Sequence, residues 1–147
     1  MRVDILNKTL FRKTLEQIFP ELQIPEFKGI SIDSRKIQGG DIFLALKGEG
    51  GDGHNYILQA RQAGASIAIL EKNKDISIPI VQVQSTRKFL TDLATAYRRN
   101  LTCSFIGITG TNGKTTTKDL LHHVLSTSMT VMSTRGNFNS TIGVPLS

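Results

Sequence analysis

Tryptophan is absent from the sequence, tyrosine occurs twice and cysteine once. The single cysteine, Cys103, excludes an internal disulfide and most cysteine-ligated metal sites, and is expected as a small apolar residue leading into a strand. With aromatics at only 6% of residues, the stacking platforms of a single-strand nucleic-acid groove are scarce. No apolar run approaches the roughly 18 residues that would suggest a membrane span. The N-terminus, MRVDILNKTLFRK, breaks its apolar positions with charge where a signal peptide would keep them continuous. A cytoplasmic chain that does not insert into a membrane is the expectation. Acidic residues are in the minority, 12 against 18 Lys and Arg, for a net charge of +6. The basic residues form scattered pairs, Arg12-Lys13, Arg35-Lys36, Arg87-Lys88 and Arg98-Arg99, without a stripe, so no nucleic-acid partner is expected. Small polyphosphate ligands account for the excess at least as well. His122 and His123 are neighbours about 100° apart on a helix, poor geometry for chelation, and read as surface residues.

What the sequence does contain is the stretch GITGTNGKTTTKDLL, Gly107 to Leu121. An apolar, β-prone run at 104–108 precedes it, and Leu120, Leu121, Val124 and Leu125 then fall on one helical face. The glycines therefore sit at a strand-to-helix junction, where unpaired first-turn N–H groups and the helix dipole favour an anion. Gly110, Thr111, Asn112 and Gly113 let the backbone curl with its amides inward, with Thr116 continuing the helix start. Lys114 adds a positive charge, and Thr115 offers a hydroxyl to a phosphate-bound Mg²⁺. The pattern departs from G-x-x-x-x-G-K-[ST], which would need glycine where Ile108 stands. The bland alternative is a glycine-rich turn with a solvated lysine; phosphate binding is the preferred reading.

Along the rest of the chain a helix is expected from Lys8 to Phe19, capped by Asn7 and ended by Pro20. Strands are expected at 29–33, 41–46, 66–70 and 78–83. The loop Lys47 to Asn55 is rich in glycine, Asn55 is a candidate cap for a helix through about Ala63, and Gly64 stops that helix. A further helix covers 87–99, and a last strand 130–134. Interleaved α and β elements predict an α/β fold: a small mixed-sheet N-terminal domain over 1–84, then the beginning of a P-loop-type ATPase domain over 85–147. So few elements come after the phosphate loop that a truncated domain is expected, its helix poorly covered.

Three separated blocks, SIDSRKIQGGDIFLALKGEGGDGHNYI, GITGTNGKTTTKDLL and RGNFNSTIGVPLS, together resemble the Mur ligases of peptidoglycan synthesis. The third block resembles most the branch that joins D-alanyl-D-alanine to UDP-N-acetylmuramoyl-tripeptide, using ATP and Mg²⁺. The branch that adds diaminopimelate or lysine, and a non-catalytic module that binds a nucleotide or UDP-sugar, stay open. The resemblance implies that the N-terminal domain binds the UDP-sugar through Ser31, Asp33, Ser34 and Arg35 and through Lys47, Gly48, Asp52, Gly53 and His54. Asn137 and Asn139 are implied to lie near the muramyl substrate and the transferring phosphate. Lys114 and Thr115 carry the implied catalytic roles. A monomer is expected, and the chain by itself is expected not to complete the reaction.

Overall fold

The computed structural model describes residues 1–21, 24–48, 51–72, 77–134 and 145. The chain forms two compact units, Met1–Asn100 and Leu101–Ser147. The first unit starts with β1 (Arg2–Asp4) and α1 (Lys8–Ile18). Asn7 caps α1 by accepting the N–H of Leu10 at 3.0 Å. Pro20 disfavours a helical conformation in the residue before it, and Phe19 accordingly leaves the helix at φ −133°, ψ 73°. Next along the chain are β2 (Gly29–Ser31), β3 (Ile42–Leu44), the short strands β4 (Lys47–Gly48) and β5 (Gly51–Asp52), α2 (Ile57–Gln62), β6 (Ile67–Leu70), β7 (Ile80–Gln82) and α3 (Thr86–Arg99).

The main sheet has the order β1-β2-β3-β6-β7. The last four strands are parallel and β1 is antiparallel to β2, so the fold is α/β with a mixed sheet, as the sequence implies. Alternation along the strands separates two faces. Phe43, Ala45, Ala68 and Leu70 form one buried cluster with Ile57 and Ala60 of α2. Ile42, Leu44, Ile67 and Ile69 take the alternate positions and are equally buried, which leaves the opposite face to α1 and α3. Those two helices meet through edge-on aromatic contact of Phe11 with Tyr97 and a tilted contact of Phe19 with Phe89. Helix α3 thus packs within the first unit, and the units divide after it, at Asn100–Leu101.

Several expected boundaries shift. Strand β1 is an addition to the expected set. The Lys47–Asn55 loop contains the antiparallel ribbon β4–β5, with Lys47 opposite Asp52, and a 3₁₀ turn, Gly53–Tyr56. That turn is capped by Asp52, whose side chain accepts the N–H of His54 at 3.0 Å; the helix that Asn55 is expected to cap, α2, has Tyr56 at its N-cap and no side-chain cap bond. The expected strand over 29–33 ends at Ser31, where Asp33 starts a second 3₁₀ turn, Ser34–Lys36.

A buried ion pair locks the sheet edge. Arg2 of β1 presents Nε and Nη2 to the carboxylate of Asp41, at 2.6 and 3.0 Å, just before β3 begins. Asp41 is fully buried and also accepts the N–H of Gln38 at 2.9 Å. Bonding to Asp41 raises the basicity of the guanidinium further.

In the second unit, α4 (Lys114–Leu125) forms where the sequence places it. The expected strands at 104–108 and 130–134 do not form: a strand needs a neighbour to satisfy its backbone, and neither segment pairs in a ladder among the described residues. Cys103 is exposed and leads into no strand. Leu120 and Val124 of α4 stay largely exposed, and no residue of that helix is buried. A 12-residue helix with no fully buried side chain has little tertiary support and is marginal in water. Hydrogen exchange is therefore expected to be slow in β2, β3 and β6 and fast through α4; equal protection in α4 would show cover that the described residues do not provide. Among the described residues no helix is long and apolar enough to cross a membrane.

Candidate functional site

Because β2, β3, β6 and β7 are parallel, their C-terminal ends open onto one edge of the sheet, the edge where α/β sheets bind ligands. The segments leaving the strands at this edge carry its polar groups. After β2 comes the Asp33-Ser34-Arg35 turn, after β3 the β4–β5 ribbon, after β6 Glu71, and after β7 the start of α3 with Thr86 and Arg87.

Each of these segments is pinned. The Ser31 hydroxyl, fully buried, donates to the carbonyl of Asp33 at 2.9 Å and accepts its N–H at 3.2 Å. Asp33 receives a fork from Arg35, Nε to Oδ1 at 2.9 Å and Nη2 to Oδ2 at 3.0 Å. Ser34 donates to Gln59 of α2 at 2.6 Å, tying this turn to the helix beyond the ribbon. Arg35 also lies within electrostatic reach of Tyr56, in the 3₁₀ turn after the ribbon.

The ribbon is fastened at both strands. Lys47 Nζ meets Glu71 Oε2 at 2.9 Å, and Arg87 Nη2 donates to the carbonyl of Lys47 at 3.1 Å. Glu71 Oε1 accepts from both the N–H and the hydroxyl of Thr86 at 3.2 Å, so one carboxylate links the ribbon to the head of α3. Asp52 Oδ1 lies 2.6 Å from Nδ1 of His54, whose Nε2 accepts the N–H of Glu71 at 2.9 Å. Gly53 is required by space: a Cβ there would stand 2.8 Å from both the N and the O of Leu46.

Of the expected site residues in this unit, Ser31, Ser34 and His54 are buried with their polar atoms bonded inside the protein. Arg35 and Lys47 keep 78% and 56% of their side chains exposed, so these two cations remain accessible at the edge. Glu71, Thr86 and Arg87 escape a reading of the sequence: nothing local marks them, and only the strand order brings them to this edge.

The fork from Arg35 holds the Asp33 carboxyl down, from its ordinary 3.8 to about 2. The N–H and ring of His54 lower Asp52, and Lys47 lowers Glu71. A carboxyl depressed in the fold adds stability above its unfolded value and loses it as pH falls through the folded one. The order of this edge is therefore expected to persist above about pH 4.5 and to decay towards pH 2. Amide exchange of residues 33–36 and 51–54 monitored over that range checks this; undiminished protection at pH 2 would contradict it.

In the second unit the phosphate-type loop heads α4. Gly113, the residue before the helix, sits at φ 77°, ψ −3°, a left-handed conformation that glycine adopts without cost. Its carbonyl receives the N–H of Thr117 at 2.8 Å. The Lys114 side chain folds back over the loop, its ammonium donating to the carbonyls of Gly110 and Thr111. Thr115 and Thr116 are exposed at the first turn, where helix N–H groups lack intrahelical partners. Curled backbone, a cation over it and an exposed hydroxyl fit a phosphate chain with its metal. Lys118 further along α4 donates to the carbonyl of Thr134 at 2.9 Å, tethering the segment that leads towards Asn137 and Asn139. Those two asparagines lie outside the described residues.

Residues 26–101 match the Mur ligase family, catalytic domain, and residues 108–147 match the Mur ligase middle domain. The chain belongs to the Mur ligase family. It is 40% identical over 130 residues to the UDP-N-acetylmuramoyl-tripeptide–D-alanyl-D-alanine ligase of Bacillus subtilis, a match that takes in 86% of this chain and 28% of that protein. Among solved structures it is similar to MurF from Acinetobacter baumannii, with a TM-score of 0.80 and 39% identity over 91% of this chain and 31% of that one. It is also similar to the MurF ligase from Thermotoga maritima in complex with ADP, with a TM-score of 0.72 and 37% identity over 80% of this chain and 27% of that one. The chain thus spans less than a third of the length of these relatives.

Proposed function

We propose that this chain carries the UDP-sugar-binding unit and the opening of the ATP-binding unit of a ligase that joins D-alanyl-D-alanine to UDP-N-acetylmuramoyl-tripeptide. The first unit, 1–100, takes the UDP-sugar; the segment from 101 onward takes part of ATP. The observation that carries this reading is the loop at the head of α4, where Lys114 lies over the Gly110 and Thr111 carbonyls beside the exposed Thr115 hydroxyl. The 40% identity to the Bacillus subtilis enzyme supports the choice of D-alanyl-D-alanine as the incoming group.

In this reading the terminal carboxylate of the tripeptide is phosphorylated by ATP. The amine of D-alanyl-D-alanine then attacks the acyl phosphate, forming the amide and releasing phosphate. The chain's own part is positioning and electrostatics. Lys114 holds the β- and γ-phosphates, and the backbone amides of Gly110, Thr111, Asn112 and Gly113 clamp the phosphate chain. Thr115 and Thr116 present first-turn N–H groups, and the Thr115 hydroxyl would hold Mg²⁺, which supplies charge neutralisation when bound. Arg35 and Lys47, the accessible cations among the expected site residues of the first unit, meet the diphosphate of the UDP-sugar, with Asp33, Asp52, Gly48 and Gly53 shaping the backbone around it. Asn137 and Asn139 would approach the muramyl group.

Calorimetry of the 147-residue chain with UDP-N-acetylmuramoyl-tripeptide tests this. Saturable heat that UDP competes away, and that D-alanyl-D-alanine alone does not produce, is the expected result. No heat above dilution at millimolar ligand, on protein shown to be folded, would remove the assignment.

A further inference from the structure

The chemistry of His54 is decided by its neighbours. A backbone N–H can only donate, so Nε2, which accepts from Glu71 N at 2.9 Å, must carry its lone pair. Nδ1 stands 2.6 Å from a carboxylate oxygen of Asp52 and must then carry the proton. The ring is buried and neutral in this arrangement and uses both nitrogens at once. On one side it holds β5, on the other the residue that follows β6. That same residue, Glu71, binds Lys47 of β4 and Thr86 at the head of α3 through its carboxylate.

We infer that His54 is a positioning residue, a latch that holds the β4–β5 ribbon against the end of β6 and so fixes the Lys47 ammonium where an anionic ligand meets the sheet edge. This rests on the UDP-sugar reading for its ligand, but the latch itself does not. Protonation of Nε2 would replace an acceptor by a donor aimed at the N–H of Glu71, leaving two donors face to face. The bond from Nδ1–H to Asp52 survives in either form, so the difference between the forms lies at Glu71. Among the described residues, the latch is joined by the carboxylates of Asp52 on the ribbon and Glu71 just after β6, the Lys47 ammonium, and the Arg87 guanidinium of α3 on the Lys47 carbonyl.

The experiment uses the 147-residue chain with ¹⁵N-labelled histidine. At pH 8 the His54 Nε2 resonance is expected to be pyridine-type and Nδ1 to carry the proton. His54→Phe, which keeps the ring volume and removes the acceptor, is expected to speed exchange of the Glu71 amide about tenfold or more. It is also expected to weaken UDP-N-acetylmuramoyl-tripeptide about tenfold. His54→Gln offers an amide oxygen that can accept the Glu71 N–H; it is expected to restore protection at Glu71 and most of the affinity. A protonated Nε2 at pH 8, or unchanged Glu71 exchange in a folded His54→Phe protein, would overturn the latch. An intact latch in a chain that does not bind the UDP-sugar would overturn the ligand reading and the role given to Lys47. If His54→Phe does not fold, the ring resonances and Glu71 amide exchange in His54→Gln still decide.

Discussion

Replacing Asp41 by alanine is expected to cost the first unit about 3–5 kcal/mol of stability. Asp41 is fully buried and the Arg2 side chain is only 12% exposed, so removing the carboxylate leaves a guanidinium with little access to water. It also leaves the N–H of Gln38 without its acceptor. The remaining partner of Arg2, Asp4, is mostly exposed and compensates little. The pair joins β1 to the residue before β3 across β2, and the loss is expected to loosen that whole edge. A double replacement, Arg2→Met with Asp41→Leu, removes both charges and is expected to recover much of the stability. Both tyrosines, Tyr56 and Tyr97, lie in the first unit, so tyrosine fluorescence during urea unfolding reads that unit alone. A loss under about 1 kcal/mol for Asp41→Ala would mean that water reaches the pair.

Lys114→Ala is expected to weaken binding of Mg²⁺-ATP to this chain by about ten- to a hundredfold, the roughly 1.5–3 kcal/mol of a charge-assisted contact. Its ammonium already sits over the loop carbonyls, so binding requires it only to exchange those acceptors for phosphate oxygens. The affinity for UDP-N-acetylmuramoyl-tripeptide is expected to stay unchanged, because that ligand is assigned to the other unit. Lys114→Arg keeps the charge in a bulkier, planar group and is expected to recover only part of the loss. Calorimetry with each ligand separates the two effects. Equal ATP affinity in Lys114→Ala would reduce the lysine to a solvated loop residue.

Much of the fold is legible in the sequence because local rules dominate locally. Asn7 and Pro20 mark the ends of α1, and the alternating apolar positions of β3 and β6 are buried on both faces, as parallel strands between helix layers must be. The loop at Gly110 to Lys114 is readable for the same reason, since its glycines and its position before a helix suffice. What escapes depends on chain separation. Strand β1 is three residues long, and its charged Arg2 is placed by a partner 39 positions away. Glu71, Thr86 and Arg87 join the site edge only through strand order. The segments at 104–108 and 130–134 err the other way: their residues favour strand, but propensity cannot supply a hydrogen-bonding neighbour. His54 is recognisable as part of a motif, yet its burial between Asp52 and Glu71 comes from the ribbon, which the glycine-rich loop conceals.

The most direct test of the two-unit account is an amide NMR titration of the chain, first with UDP-N-acetylmuramoyl-tripeptide and then with Mg²⁺-ATP. The first ligand is predicted to shift Arg35, Lys47, Gly48, Asp52 and Gly53, at the C-terminal ends of the parallel strands, and to leave Gly110 to Thr116 in place. The second ligand is predicted to shift Gly110 to Thr116. A UDP-sugar response centred on the α4 loop, or one that spares the strand ends altogether, would contradict it.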